Sequence, residues 1–267
     1  LRDKAGEQGI SVFALAGMVP DYTYYGAYLP LVTRMGGIEA LEDGFNLVPG
    51  AWKSEPYLEA AREIVRMGEE GLYMPRTMGL SHIEAQTQFF QRNALFAMAG
   101  TWLEGEMQDV IPEDFELSAL NQPAWEDGPA DSQLYVPISE GWAGAFYVAE
   151  SSENKDAAIS FLKYLTDKES IYRMMERGLA STIVGTDDAI DSEALRSALA
   201  EMDRADGHSY IPTGMNPVYP EFNKNVINQF QALMSGRITP EEFVGYAEQK
   251  AEELRNDNSI TKQKFSF

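Results

Sequence analysis

Residues 81–102 read SHIEAQTQFFQRNALFAMAGTW. Ser81 and Glu84 have the S-x-x-E spacing of a capping box, so a helix is expected to open at His82 and run to about Arg92. Ala94 to Ala99 is apolar on both faces and too short for a helix, which predicts a buried strand. Gly100 then frees the backbone to turn, and Trp102 falls two residues past the strand. Helix, short apolar strand and loop in that order is the rhythm of a parallel α/β sheet.

The same pattern extends outward. Ile10 to Ala16, between Gly9 and Gly17, predicts a second buried strand, followed by an aromatic loop, Pro20-Asp21-Tyr22-Thr23-Tyr24-Tyr25. Ala27 to Met35 predicts a helix that stops at Gly36-Gly37. Ser54 opens another helix, with Leu58, Ala61, Ile64 and Val65 on one face. Beyond Trp102, Phe115–Leu120 and Gly144–Ala149 are expected to be strands, and the Pro-, Gly- and Asp-rich stretch 121–132 a linker. Helices are expected after Asn154 or Ser152, after Asp167, from Asp191 onward, through Phe222–Met234, and from the Thr239-Pro240-Glu241-Glu242 cap to about Arg255. The polar end beyond Arg255 is expected to be loose.

The 267 residues include 21 Lys plus Arg against 42 Asp plus Glu, a formal charge of −21. Such a chain repels phosphate backbones, which argues against a nucleic-acid partner. There is no cysteine, so thiol chemistry, disulfides and thiolate metal sites are excluded. Two histidines, His82 and His208, are too few for a multi-histidine metal centre, and neither common phosphate-cradling glycine loop is present. No cofactor, metal site or catalytic residue is therefore expected. No signal peptide is visible at Leu1, and the uncharged stretch from Gly9 to Pro20 is too short to span a bilayer.

Three blocks, in order, carry a resemblance. Phe89-Phe90-Gln91-Arg92-Asn93-Ala94-Leu95-Phe96-Ala97-Met98 with Gly100-Thr101-Trp102 is the first, although Asn93 stands where the pattern has Gly-Lys. Gly141-Trp142 with Ser152-x-Asn154-Lys155-x-Ala157-Ala158-x-x-Phe161-Leu162-x-x-Leu165 is the second. Val226 to Met234 with Gly236-x-x-Thr239-x-Glu241-Glu242 is the third. Together they resemble the family 1 extracellular solute-binding proteins of carbohydrate ABC transporters. The aromatic loop and Gly50-Ala51-Trp52-Lys53 are similar to members that bind N-acetylglucosamine or chitobiose.

The resemblance implies a periplasmic-binding-protein-like, two-lobed α/β fold of type II that closes on a sugar. It implies that 1–120 belongs to the second lobe, 121–182 is a hinge crossing with a returning segment of the first lobe, and 183–267 is a helical return to the second. It also implies that the chain is the C-terminal part of a longer protein. Its partners would be a carbohydrate, the membrane permease of an ABC importer, and the missing N-terminal part of the same protein. The location would be extracytoplasmic, periplasmic or lipid-anchored on the outer face of the cytoplasmic membrane through an absent N-terminal segment.

Sugars need flat apolar faces for their rings and fixed polar groups for their hydroxyls. In parallel α/β sheets such groups stand on loops past the strand carboxyl ends. Trp102 matches the family's stacking tryptophan. Tyr22, with its neighbours Asp21 and Tyr24, matches a ligand-contacting aromatic loop, and Trp142 stands beside a glycine near the crossing. Glu104 and Glu140 flank the two tryptophans and could accept bonds from hydroxyls. His82 opens a helix whose N-terminus is expected to point at the cleft. Trp52 and Trp125 read as packing or loop anchors. A carbohydrate-active enzyme using paired carboxylates is the alternative to a non-catalytic receptor, because aromatics and carboxylates serve both. A protein-interaction domain is a third.

Overall fold

The computed structural model describes all residues except 139–145, 177–178, 180, 182 and 184, and for Asp187 the backbone only. In chain order the elements begin α1 (Arg2–Gly6), β1 (Ser11–Ala14), α2 (Asp21–Thr23) and α3 (Leu29–Phe45). Then follow α4 (Glu55–Glu69), α5 (His82–Phe90), β2 (Ala94–Ala97), α6 (Leu103–Met107) and β3 (Val136–Pro137). The remainder is α7 (Lys155–Leu165), α8 (Lys168–Met175), α9 (Glu193–Arg204), β4 (Ser209–Tyr210), α10 (Met215–Val218), α11 (Pro220–Met234) and α12 (Pro240–Asn256).

The two expected apolar strands form, shorter than expected, and pair in parallel, with Ser11 opposite Ala94 and Phe13 opposite Phe96. β2 buries only Ala94, its other three residues being half-buried, so the expected full burial of that strand is not met. Tyr73 bridges to Phe13 on the other side. A second parallel pair, unforeseen in the sequence, joins β3 to β4, with Pro137 opposite Tyr210. Both predicted capping boxes are present, Ser81 with Glu84 and Thr239 with Glu242. Asp167 caps α8 by accepting from Ser170 N–H.

Contacts divide the chain into two units. The first is 1–99, 122–138 and 205–267; the second is 100–121 and 139–204. The first unit holds the main core. There α11 and α12 bring Phe222, Phe230 and Phe243 against Tyr28, Trp52 and Tyr57. Trp52 is wholly buried, as its packing role predicts, and donates from Nε1 to the Gly44 carbonyl at 3.1 Å. Glu248 on α12 accepts from the N–H groups of Gly50 and Trp52 at 3.0 and 3.2 Å and from Arg255 at 3.0 Å. The second unit holds α6 to α9.

The helix expected over Ala27–Met35 does stop at its glycines: Gly37, at φ 83° and ψ 171°, leaves helical geometry, and a second helical stretch follows to Phe45. Three further expectations need correction. Phe115–Leu120 is irregular; Ala119 N–H donates to Ser197 Oγ at 2.7 Å, so a helix side chain takes the bond that a neighbouring strand would. Gly144 and Ala145 lie outside the described residues, and Phe146–Ala149 is irregular with Phe146 and Tyr147 exposed. The end of the chain is docked, not loose. Phe265 and Phe267 pack edge-on against Phe45, and Asn46 exchanges two hydrogen bonds with the Phe265 backbone, at 2.9 and 2.8 Å.

The linker-like stretch is also anchored. Arg34, 2 % exposed, donates to the Ser132 carbonyl at 2.6 Å and to the Gln122 carbonyl at 3.4 Å. In return the Arg34 carbonyl accepts from Ser132 Oγ and Gln133 Nε2. Proline and glycine make a segment irregular, but irregular backbone still has to place its polar groups, and here α3 takes them.

Candidate functional site

The loop past the carboxyl end of β1 is held by hydrogen bonds from both backbone and side chains. Thr77 Oγ1 accepts from Leu15 N–H at 2.9 Å and donates to the Leu15 carbonyl at 2.8 Å. Gly17 N–H donates to the Thr77 carbonyl and Met18 N–H to the Leu80 carbonyl, at 3.2 and 3.0 Å. A Cβ on Gly17 would lie 2.3 Å from the Met78 Cα, so no side chain fits there. Gln231 Nε2 closes the set by donating to the Gly17 carbonyl at 2.8 Å. The loop leading to α2 is thereby fastened to the loop leading into α5.

This fastening brings Tyr22 and His82 together. Their rings stack with centroids 5.9 Å apart and planes 13° from parallel. Both are half-buried. Asp21 precedes Tyr22, opens α2, and is also half-buried. Burial raises its carboxyl pKa, and the bond from its own backbone N–H works against that rise. Glu84, in contrast, is held low by the hydrogen bonds of Ser81 that make the helix cap.

The Asp21 shift has a sign that can be checked. A carboxyl raised in the folded state stabilises the fold below its unfolded pKa, and that contribution is lost as pH rises through the folded value. Asp21→Asn is therefore expected to raise the urea midpoint at pH 7. The gain over wild type should vanish below the ordinary carboxylate range, where Asp21 is neutral too. Urea titrations of both proteins from pH 3 to 7 measure it; an equal difference at every pH would contradict the assignment.

Tyr24 does not join this site. It is 2 % exposed, with its ring stacked on Tyr28 at 5.5 Å and edge-on to Phe230 at 5.3 Å. Tyr24 and Tyr28 are four residues apart on one helical face, and that face is the core one. Burial drives both phenols well above their ordinary pKa. A ring enclosed in this way has no face left for a sugar.

Trp102 lies in the second unit at the start of α6 and is 40 % exposed. Its ring lies over Gly100: a Cβ there would be 2.0 Å from Trp102 Cζ3. Glu104, in the first turn of α6, accepts from Ser192 Oγ, the hydroxyl that also accepts from Leu195 N–H at the start of α9. Its carboxylate is thus partly committed within the unit. Glu140 and Trp142 lie outside the described residues.

Two residues not singled out in the sequence lie on the same loop and helix as these side chains. Met18, on the fastened loop, is 60 % exposed. Gln86, one turn beyond His82 on α5, is 2 % exposed, and both polar atoms of its amide lack a partner. A glutamine in a capped helix carries no sequence signal of that kind. Among the described residues no three His, Asp or Glu side chains converge as a metal site, and no helix is long and apolar enough to cross a membrane.

No family model matches the chain. A search of solved structures finds a chitin oligosaccharide binding protein with TM-score 0.77 and 17 % identity, covering 94 % of this chain and 62 % of that one. It also finds a sugar transporter from Bacillus licheniformis in complex with stachyose, with TM-score 0.65 and 18 % identity over 94 % of this chain and 63 % of the other. The fold is periplasmic-binding-protein-like. In sequence the chain is similar to the diacetylchitobiose binding protein NgcE of Streptomyces coelicolor, 23 % identical over 253 residues. That match takes in 91 % of this chain and 52 % of the relative, so the chain spans about half the length of the curated relative it matches. The first and the last of these are named as binding proteins. In a periplasmic-binding-protein-like fold the loop past β1, with Met18, Asp21 and Tyr22, occupies the position where parallel sheets present ligand-binding groups.

Proposed function

We propose that the chain is part of a non-catalytic, extracytoplasmic carbohydrate receptor that delivers a sugar to the membrane permease of an ABC importer. The observation that carries this reading is the half-buried Tyr22–His82 ring stack, with Asp21 next to Tyr22 in the chain, on a fastened loop at the carboxyl end of β1. An aromatic surface and a carboxylate on one loop are what a pyranose requires. The similarity to proteins named for diacetylchitobiose and chitin oligosaccharide favours N-acetylglucosamine oligomers as the sugar class. On this reading the block around 133–182 is a returning piece of the first lobe between blocks of the second, whereas contacts group 139–204 with 100–121. Trp102, Tyr22, Asp21 and His82 are the ligand contacts, with Glu104, Glu140 and Trp142 as further candidates.

The test is a tryptophan-fluorescence titration of the intact protein with chitobiose, longer chitin oligosaccharides, stachyose and xylo-oligosaccharides. Saturable binding of the chitin series without release of reducing sugar is the expected result. Trp102→Ala and Tyr22→Ala are each expected to weaken it by about 5- to 150-fold, the equivalent of about 1 to 3 kcal/mol for an aromatic stack. The 40 % exposure of Trp102 predicts a near-normal melt for Trp102→Ala. A large drop in melting temperature with unchanged affinity would make it a packing residue instead. No binding to any of the sugars, or hydrolysis lost on changing a single glutamate, would overturn the receptor reading.

A further inference from the structure

We infer that Tyr25 is a further ligand-binding residue, a hydrogen-bond donor that Asn223 positions to meet the carbonyl oxygen of an acetamido group on the sugar. On the receptor reading above, on which this rests, Tyr25 decides which sugar is preferred. Between α2 and α3 the backbone widens into a π turn over Tyr24–Tyr28. Such turns are rare and recur at functional sites. Here Tyr24 and Tyr28 are buried in the core, while Tyr25 is left half-buried. The carbonyl of Gly26, next in the turn, accepts from Gln122 Nε2, so the wide turn is tied down.

The hydroxyl of Tyr25 is set to donate. It accepts from Asn223 Nδ2 at 2.7 Å, and the same amide nitrogen donates to Asn216 Oδ1 at 3.4 Å. Asn223, on α11, is 6 % exposed, so these two partners and not solvent fix its amide. Burial drives the Tyr25 phenol well above its ordinary pKa; the Asn223 bond works against the rise, and the charge of Asp21 adds to it. The phenol therefore keeps its proton. Its oxygen already has a donor, and among the described residues nothing accepts its proton. The bond that such a hydroxyl has left to offer is a donor's bond.

Place and chemistry choose the occupant. Tyr25 stands four residues past Asp21, on the run that follows β1. A Cβ on the adjacent Gly26 would lie 3.8 Å from Met98 Cβ, one residue past β2. This stretch of chain thus lies at the carboxyl ends of both paired strands, where parallel sheets present ligand groups. A sugar hydroxyl turns to give or to take a bond. An acetamido oxygen only takes one, so a group that only gives suits it and selects for it. Diacetylchitobiose and chitin oligosaccharide, in the names of the relatives, both carry that group.

The experiment titrates the intact protein calorimetrically with chitobiose and, by competition at high concentration, with cellobiose, which has a hydroxyl in place of each acetamido group. Tyr25→Phe is expected to weaken chitobiose binding by about 3- to 10-fold and cellobiose binding by less than about twofold. It keeps the ring and its packing, so urea unfolding should be near normal. Asn223→Asp keeps the size of the side chain but puts an acceptor where the donor was, which turns the Tyr25 proton inward. It should match the loss from Tyr25→Phe, with little added in the double substitution. Full chitobiose affinity in the folded Tyr25→Phe protein would overturn the inference and leave the receptor reading standing. An equal loss for both sugars would also overturn it, since the donor would then be blind to the acetamido group. No sugar binding by the unsubstituted protein would overturn both.

Discussion

Trp52→Ala is expected to leave the first unit barely folded at 25 °C. The side chain is wholly buried, with its ring 4.8 Å from Tyr57 and 5.3 Å from Phe222. Its removal opens a cavity at the meeting of α4, α11 and α12 and takes one of two donors from the Gly44 carbonyl, which keeps the Leu47 N–H. Truncations of this kind cost about 3 to 5 kcal/mol. Domains are stable by about 5 to 15 kcal/mol in all, so one substitution consumes a large share. Urea unfolding followed by far-UV circular dichroism measures the loss. A shift of under about 1 kcal/mol would mean that the turn 51–53 can detach without disturbing the core.

Glu248→Ala is expected to cost about 2 to 4 kcal/mol, since it strips an acceptor from two backbone N–H groups and from a cation at once. The Glu248 side chain is 11 % exposed and that of Arg255 23 %, so the pair is screened only in part. Arg255 also donates to the Leu47 carbonyl at 2.7 Å, and Leu47 holds the left-handed backbone at φ 58°. Glu248→Gln keeps one acceptor and should cost less than half as much. The double substitution with Trp52→Ala should cost less than the sum, because Glu248 holds the turn on which Trp52 sits. A fully additive double mutant would show that the carboxylate and the indole act independently.

Local chemistry was legible in the sequence. Ser81 with Glu84, Asp167, and Thr239 with Pro240 announce helix starts because a cap is settled within four residues. The two apolar strands were legible because nothing else that short and apolar fits a folded chain. What was not legible depends on partners far away in sequence. Phe265 looks like the end of a polar tail until Asn46, 219 residues earlier, takes both of its backbone groups. Nothing near Arg34 in the sequence points to its partners, the Gln122 and Ser132 carbonyls 88 and 98 residues on.

The site was legible in part for the same reason. The tyrosine-rich run from Tyr22 to Tyr28 has one face to the core and one away from it, and the sequence alone does not say which. The structure turns Tyr24 and Tyr28 inward and leaves Tyr22 against His82. That pairing joins residues 60 positions apart through the Gly17–Met78 approach, which only a glycine permits. Glu104 looked free because its partner, Ser192, comes from α9.

Gly100 carries a lesson about where ligand preference can be encoded. It has no side chain with which to touch anything, yet the seat of the Trp102 indole is the space its missing methyl leaves. Any larger residue there would force the ring to another rotamer while changing none of the proposed contact residues. A library built only from those proposed positions would therefore omit the one that sets the angle of the Trp102 ring. Divergence of specificity among related receptors can proceed through such silent supports, with every recognised contact residue unchanged.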